Sequence, residues 1–252
     1  MKTLAVVGYP LNYSFSPAYF QQKFEQLGIK NYEYTAQPLE KIEDLAQMIK
    51  NQPNLIGFNV TNPYKTAIIP FLQHISPQAK AINAVNTVKI AENGALTGYN
   101  TDVIGFEQSI SPWLNAETAA IVLGAGGASK AACFVLQKRN IPHKIIARND
   151  AQNLLQTPTL EALKALASSQ IVSKLLVVNC TPVGTYPNVR EMPAFPYQLL
   201  NDDCCMFDMV YNPAKTAFLQ AGENQTCAIK NGLEMLHLQA EASWQIWTKN
   251  EL

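Results

Sequence analysis

The feature that most restricts how this chain can fold is the apolar run Ala120 to Leu123, which passes straight into Gly124-Ala125-Gly126-Gly127-Ala128-Ser129 and then into an alanine-rich segment with helical spacing. A short apolar run bounded by a turn reads as a fully buried strand. The glycines allow a tight turn and close approach to the backbone, and the helix start beyond them presents amides on which a pyrophosphate can sit. The glycine spacing alone is a weak signal. The strand before it and the helix after it turn it into a dinucleotide-binding turn.

The rest of the chain carries a matching pattern. Buried-strand candidates are Leu4 to Val7, Tyr32 to Thr35, Leu55 to Val60, Lys144 to Ala147, Leu175 to Val178 and Met206 to Met209. Between them lie helix candidates at Pro17 to Leu27, Ala128 to Arg139 and Leu160 to Ala167. Strands alternating with helices predict βαβ units and a mostly parallel sheet. Over 252 residues there is room for two cores, and Ser111-Pro112-Trp113-Leu114-Asn115 places a junction near residues 100–115. Apolar residues at 233, 236, 240, 244 and 247 predict one long closing helix. The expected fold class is α/β, an N-terminal open α/β domain followed by a Rossmann-like doubly wound domain.

Composition removes several alternatives. At 48% hydrophobic and 15% charged residues the chain is not a disordered one. Basic and acidic residues balance at 19 each, so no overall field draws in nucleic acid or an anionic membrane. No apolar stretch approaches the roughly 20 residues of a membrane span. MKTLAVVGYPLNYS runs into Gly8 and Pro10 without the apolar core of a signal peptide. A cytoplasmic protein is expected. The five cysteines show no CxxC spacing and the three histidines are scattered, so neither a disulfide framework nor a metal site is expected.

Polar islands at strand ends supply the candidate chemistry. Arg148 follows the strand after the glycine turn, where an arginine suits a 2′-phosphate and favours NADP; Asp150 keeps NAD open. Ser14 and Ser16 alternate along one side of an extended segment and could converge on one carboxylate, although Ser16 before Pro17 reads locally as a helix cap. Asn59 and Thr61 alternate at the end of another strand, and Lys65 falls in the first turn of the helix that Pro63 begins. A cation there opposes the helix dipole, which is the kind of local conflict that marks function, while a solvated surface lysine is the ordinary alternative. Asn86, Asn100 and Asp102 stand near strand ends, where turn-forming side chains are also common.

Taken in order, these islands resemble the shikimate dehydrogenase family. The residues are G-x-P-x-x-x-S-x-S-P at Gly8 to Pro17, N-V-T-x-P-x-K at Asn59 to Lys65, A-x-N-T at Ala84 to Thr87 and N-T-D at Asn100 to Asp102. They continue with G-A-G-G-A at Gly124 to Ala128, N-x-T-P-x-G at Asn179 to Gly184, D-M-x-Y-x-P at Asp208 to Pro213 and G-L-x-M-L-x-x-Q-A at Gly232 to Ala240. The departures are Tyr19-Phe20 in place of His-Asn, a missing second basic residue after Arg148, and Glu234 where a glycine is frequent.

The resemblance implies a substrate domain of residues 1–102 completed by a C-terminal helix at 232–252, and an NADP-binding domain at 103–231. It implies that Lys65 and Asp102 are the catalytic pair. Ser14 and Ser16 would bind a carboxylate, Asn59, Thr61, Asn86, Asp102 and Gln239 ring hydroxyls, and Tyr211 would close the pocket. Gly124, Ala125, Gly126, Gly127, Ala128, Arg148, Asn149 and Thr181 would receive the nucleotide, and Met209 and Gly232 would line its nicotinamide end. The implied activity is reversible reduction of 3-dehydroshikimate to shikimate with NADPH, by a monomer or homodimer. Two alternatives stand beside it: a quinate dehydrogenase using NAD, and a non-catalytic dinucleotide sensor that kept the fold and lost the chemistry.

Overall fold

In β1 (Lys2–Gly8) every residue from Thr3 to Gly8 is buried, and a strand with no polar side belongs in the middle of a sheet covered on both faces. The computed structural model places it there. It describes residues 1–11, 15–147, 150, 154–157, 159–170 and 172–248. After β1 come α1 (Ser16–Gln26), β2 (Tyr32–Pro38), α2 (Leu45–Lys50), β3 (Leu55–Val60), α3 (Tyr64–Ala67), β4 (His74–Ile75), α4 (Pro77–Ile82), β5 (Thr87–Ile90) and β6 (Leu96–Tyr99). The sheet order is β2-β1-β3-β5-β6-β4.

The pairs β1–β2, β1–β3 and β4–β6 are parallel, whereas β3–β5 and β5–β6 are antiparallel. The sheet is therefore mixed rather than nearly all parallel. The hairpin β5–β6 has short strands of mixed polarity, so it offers no apolar run. Its turn carries Asn93-Gly94 with Gly94 at φ +81°, the usual chemistry of a tight hairpin.

Alternation along β1 divides two cores. Ala5 and Val7 join Phe58, Val60, Ile68 and Val88 on one face. Leu4 joins Phe20, Phe24, Tyr32, Ala240 and Trp247 on the other.

The second sheet is wholly parallel. Its elements are α5 (Asp102–Ile110), β7 (Thr118–Leu123), α6 (Gly127–Lys138), β8 (His143–Ile146), α7 (Leu160–Ala167), β9 (Lys174–Asn179), β10 (Cys204–Asp208), α8 (Ala217–Glu223), β11 (Ala228–Lys230) and α9 (Leu233–Thr248). The order β11-β10-β9-β7-β8 makes β7 the point from which the chain winds out to β8 and then back to β9. In such sheets ligands bind beyond the strand ends at that reversal.

The described chain forms two compact units, Met1–Thr101 with the residues from Ala240 onward, and Asp102–Gln239. The division falls at the near end of the expected 100–115 range, and Ser111–Trp113 is a single 3-10 turn inside the second unit. Residues 232–239, expected to complete the first unit, group with the second. Gly105 of α5 lies so close to the Met235 backbone that no side chain fits between them, which ties the start of α9 to α5. Among the described residues no helix is long and apolar enough to cross a membrane, and no group of three or more His, Cys, Asp or Glu could hold a metal ion.

Candidate active site

In the first unit, the expected substrate residues stand at strand ends. Ser16 comes after β1, Thr61 and Lys65 come after β3, and Asn86 immediately precedes β5, while Ser14 lies outside the described residues. Ser16 is not the helix cap. Phe15 takes that position, Ser16 is the first helical residue, and its buried hydroxyl hydrogen-bonds the Tyr34 phenol. Burial pushes the Tyr34 phenol well above its ordinary pKa, so it remains a donor, with the Ser16 hydrogen bond opposing the shift.

That donor is spent on Asn59. Tyr34 Oη donates to Asn59 Oδ1 at 2.7 Å, and Asn59 Nδ2 lies within hydrogen-bonding reach of Asn86 O, Thr87 Oγ1 and Ser243 Oγ at 3.2, 3.1 and 3.0 Å. The resemblance implies a ring hydroxyl as a further partner of Asn59. At 6% exposure, with both ends of its amide engaged, it is also the hub of a buried polar network.

The network extends to Asn86, whose Oδ1 accepts the Thr101 amide at 2.7 Å and whose Nδ2 donates to Thr101 Oγ1 at 3.0 Å. Ser243, from the closing helix, lies 2.8 Å from Thr87 Oγ1 and 3.1 Å from Thr101 Oγ1. The backbone immediately before Asp102 is thereby fastened. Thr61, two residues beyond Asn59, is half-buried, with its amide on Val7 O at 2.9 Å and its carbonyl accepting from the Tyr64 amide at 2.9 Å.

Lys65 is half-buried on α3, and its carbonyl accepts the Val85 amide at 2.7 Å. Because α3 has only four residues, Lys65 lies in its last turn as much as its first, and the helix-dipole conflict expected there has little force.

In the second unit, Asp102 is buried at the start of α5, where a carboxylate complements the helix dipole. Gln239 is buried and donates from Nε2 to Leu236 O at 3.0 Å. Tyr211 is half-buried, and burial raises its phenol pKa.

The glycine turn lies where the sheet order reverses. Gly124 has φ +103°, and a Cβ there would sit 2.9 Å from Thr181 Cγ2, so the turn and the segment after β9 need glycine to meet. A Cβ on Gly126 would meet nothing within 4 Å, leaving open space over the start of α6. No side chain caps that helix and no acidic residue occupies its first turn. An open backbone cradle with uncapped amides fits the pyrophosphate of a dinucleotide. Ala125, Gly127 and Ala128 complete it, while Arg148 and Asn149 lie outside the described residues. Gly232 packs against the Met209 backbone so tightly that only glycine fits, which brings together the two residues expected at the nicotinamide end.

Asp208, quoted above only as part of a motif, is 0% exposed at the end of β10. Its Oδ1 accepts from Asn179 Nδ2 at 2.9 Å and from the Val210 amide at 3.0 Å, and its Oδ2 accepts from Thr216 Oγ1 at 2.5 Å. Burial outweighs these three hydrogen bonds and lifts its pKa to about 6. Its signal in the sequence is that it is the one charged side chain in Cys204-Cys205-Met206-Phe207-Asp208. Glu234 also acquires a role, since its carboxylate pairs with Lys230 Nζ at 2.8 Å.

A sequence model of the shikimate dehydrogenase substrate binding domain matches residues 6–88. The shikimate dehydrogenase (NADP(+)) of Methanococcus maripaludis is 37% identical over 98% of this chain and 91% of its own. The chain belongs to the shikimate dehydrogenase family. A second family member, the shikimate dehydrogenase (NADP(+)) of Staphylococcus aureus, is 37% identical over 98% of this chain and 92% of its own. Among solved members, the shikimate 5-dehydrogenase of Thermus thermophilus in complex with NADP(H) and shikimate superposes with a TM-score of 0.81 at 30% identity, covering 99% of this chain and 94% of that one. The quinate dehydrogenase of Corynebacterium glutamicum in complex with NAD gives a TM-score of 0.78 at 26% identity, with 98% and 94% covered.

Proposed function

We propose that this protein is a shikimate dehydrogenase that reduces 3-dehydroshikimate to shikimate with NADPH and oxidises shikimate with NADP+. The likeness to NADP(+)-dependent shikimate dehydrogenases along nearly the whole chain carries this reading. The open glycine cradle after β7 supports it. In this proposal the first unit takes the ring acid and the second takes the nucleotide.

Bound NADPH supplies the hydride. Ser14 and Ser16 hold the substrate carboxylate; Asn59, Thr61, Asn86 and Gln239 hold ring hydroxyls, and Tyr211 closes over them. Lys65 Nζ gives a proton to the carbonyl oxygen as the alcohol forms and takes it back in the reverse direction. Asp102 orients the lysine and accepts a substrate hydroxyl, so the two groups act as one unit. The Asn59 network holds Asn86 and the chain leading into Asp102. Arg148 and Asn149 meet the 2′-phosphate end of the nucleotide, and Met209 and Gly232 line the nicotinamide. A cytoplasmic location and a monomeric or homodimeric state belong to the same proposal.

Following the NADPH absorbance band on addition of 3-dehydroshikimate, and repeating with NADH and with quinate plus NAD, tests it. Turnover dominated by NADPH and 3-dehydroshikimate is expected. Faster turnover of quinate with NAD would replace it with the quinate reading, and no turnover in any arm would favour a non-catalytic sensor.

A further inference from the structure

We propose that Asp208 is a positioning residue for nucleotide binding, acting through Asn179 to hold Thr181 against the glycine turn and through the Val210 amide to hold the Met209–Gly232 contact. The inference rests on the proposed function for what the cradle receives, but its geometry stands within the second unit alone.

The three strand ends involved carry most of the expected nucleotide residues. Gly124 follows β7, Thr181 follows β9 and Met209 follows β10. Thr181 packs against Gly124, and one buried carboxylate links the Thr181 and Met209 segments. Asp208 Oδ1 takes the Asn179 side-chain amide, and Asn179 Oδ1 in turn accepts Thr181 N at 3.0 Å and Thr181 Oγ1 at 2.7 Å. That fixes the threonine whose methyl faces Gly124. The Asn179 carbonyl accepts the Met209 amide at 3.0 Å, and the Val210 carbonyl accepts the Gly232 amide at 3.3 Å. Thr216 Oγ1 occupies the remaining carboxylate oxygen and also caps α8, accepting the Leu219 amide at 3.3 Å.

Only an acceptor with several lone pairs can bind three donors at once, which is why a carboxylate sits in an otherwise apolar strand end. Among the described residues no lysine or arginine pairs with Asp208. Tyr197 and Cys180 lie close enough to feel its charge: Tyr197 is pushed upward by burial and then by that charge, Cys180 by burial, then by Cys133 and then by that charge. Hydrogen bonds from neutral donors are thus what hold the carboxylate.

The test uses the full chain with Asp208→Ala, Asp208→Asn and Asn179→Ala. Affinities for NADP+ and for shikimate are measured by calorimetry, and hydrogen exchange at the Thr181 and Val210 amides is measured without ligand. Asp208→Ala and Asn179→Ala are expected to weaken NADP+ binding by about tenfold, the scale of leaving a buried donor unpaired. Shikimate affinity should stay within about twofold, and exchange at Thr181 should quicken. Asp208→Asn should recover most of the NADP+ affinity, because its Oδ1 can still accept from Asn179 and Val210 while its Nδ2 donates to Thr216.

Unchanged NADP+ affinity in Asn179→Ala overturns the proposal, as does equal loss of both ligands. If Asp208→Ala does not fold, Asn179→Ala and Asp208→Asn still decide between these results. A wild-type protein that bound neither ligand would count against the functional reading, and exchange at Thr181 would still show whether Asp208 holds the segment.

Discussion

Lys65 and Asp208 are both charged side chains withdrawn from water, but their positions lead to different measurements. Lys65 carries the proposed proton transfer. Lys65→Ala should leave shikimate affinity within about tenfold while lowering turnover by about 10²-fold or more, the scale of lost acid/base catalysis. Parallel losses in the dissociation constant and in kcat would argue that the lysine only binds.

Asp208 makes a prediction about stability. Its folded pKa of about 6 lies above its ordinary value of 3.8, so folding favours the protonated form. The stability it contributes is complete below the unfolded pKa and is lost as pH rises through the folded one, an effect of about 3 kcal/mol. Urea unfolding at pH 4.5 and at 7.5 should show the wild type losing stability relative to Asp208→Asn over that interval. A pH-independent difference between the two proteins would contradict it. Keeping an ionised carboxylate at the end of β10 despite this cost is the kind of local conflict that functional sites retain.

Sequence alone exposes the first of these residues more clearly than the second. Both stand in ordered motifs, but the resemblance gives Lys65 a role, whereas Asp208 reads as an ordinary strand-end residue until the three donors around it are placed. Asn59 is legible in part. Its spacing with Thr61 puts both on one side of the strand, but spacing cannot say that Tyr34 and Ser243 also reach the amide.

Among the elements, the parallel strands of the second unit are the most legible, because burial on both faces leaves continuous apolar runs. The β5–β6 hairpin escapes because each strand has four residues and mixed polarity, and its definition comes from pairing with β3. The closing helix α9 is legible from its apolar stripe, but the stripe does not name its partner. Trp247, 2% exposed, donates from Nε1 to Val88 O at 2.9 Å and packs where Gly57 leaves room on β3. Trp247→Ala should destabilise the protein by about 3–5 kcal/mol, as large-to-small changes in cores do, read as a lower urea midpoint. Gly57→Ala should destabilise by a related route, since its methyl would enter the space of the indole. A midpoint unmoved in Trp247→Ala would show that the aromatic cluster does not support the sheet.

At the scale of the molecule, the two-part α/β architecture is visible in the sequence, and the boundary that contacts draw after Thr101 falls at the near end of the expected range. Gly105 against Met235 assigns the start of α9 to the second unit, and Ser243 and Trp247 assign its remainder to the first. A fragment of residues 1–101 would lack Trp244, Trp247 and Ser243. It should remain sensitive to protease and lack a sharp thermal transition, while 102–239, continuous in sequence, should unfold cooperatively. A protease-resistant 1–101 fragment would overturn that expectation.

The route of α9 also sets an order of events during synthesis. The half of the protein that leaves the ribosome first must wait, one face of its sheet uncovered, until every residue of the other half has been translated, because the tryptophan that seals it is encoded on the far side. In a growing chain the nucleotide half is free to settle early, and the ring-acid half becomes whole only at the last turns of a single helix.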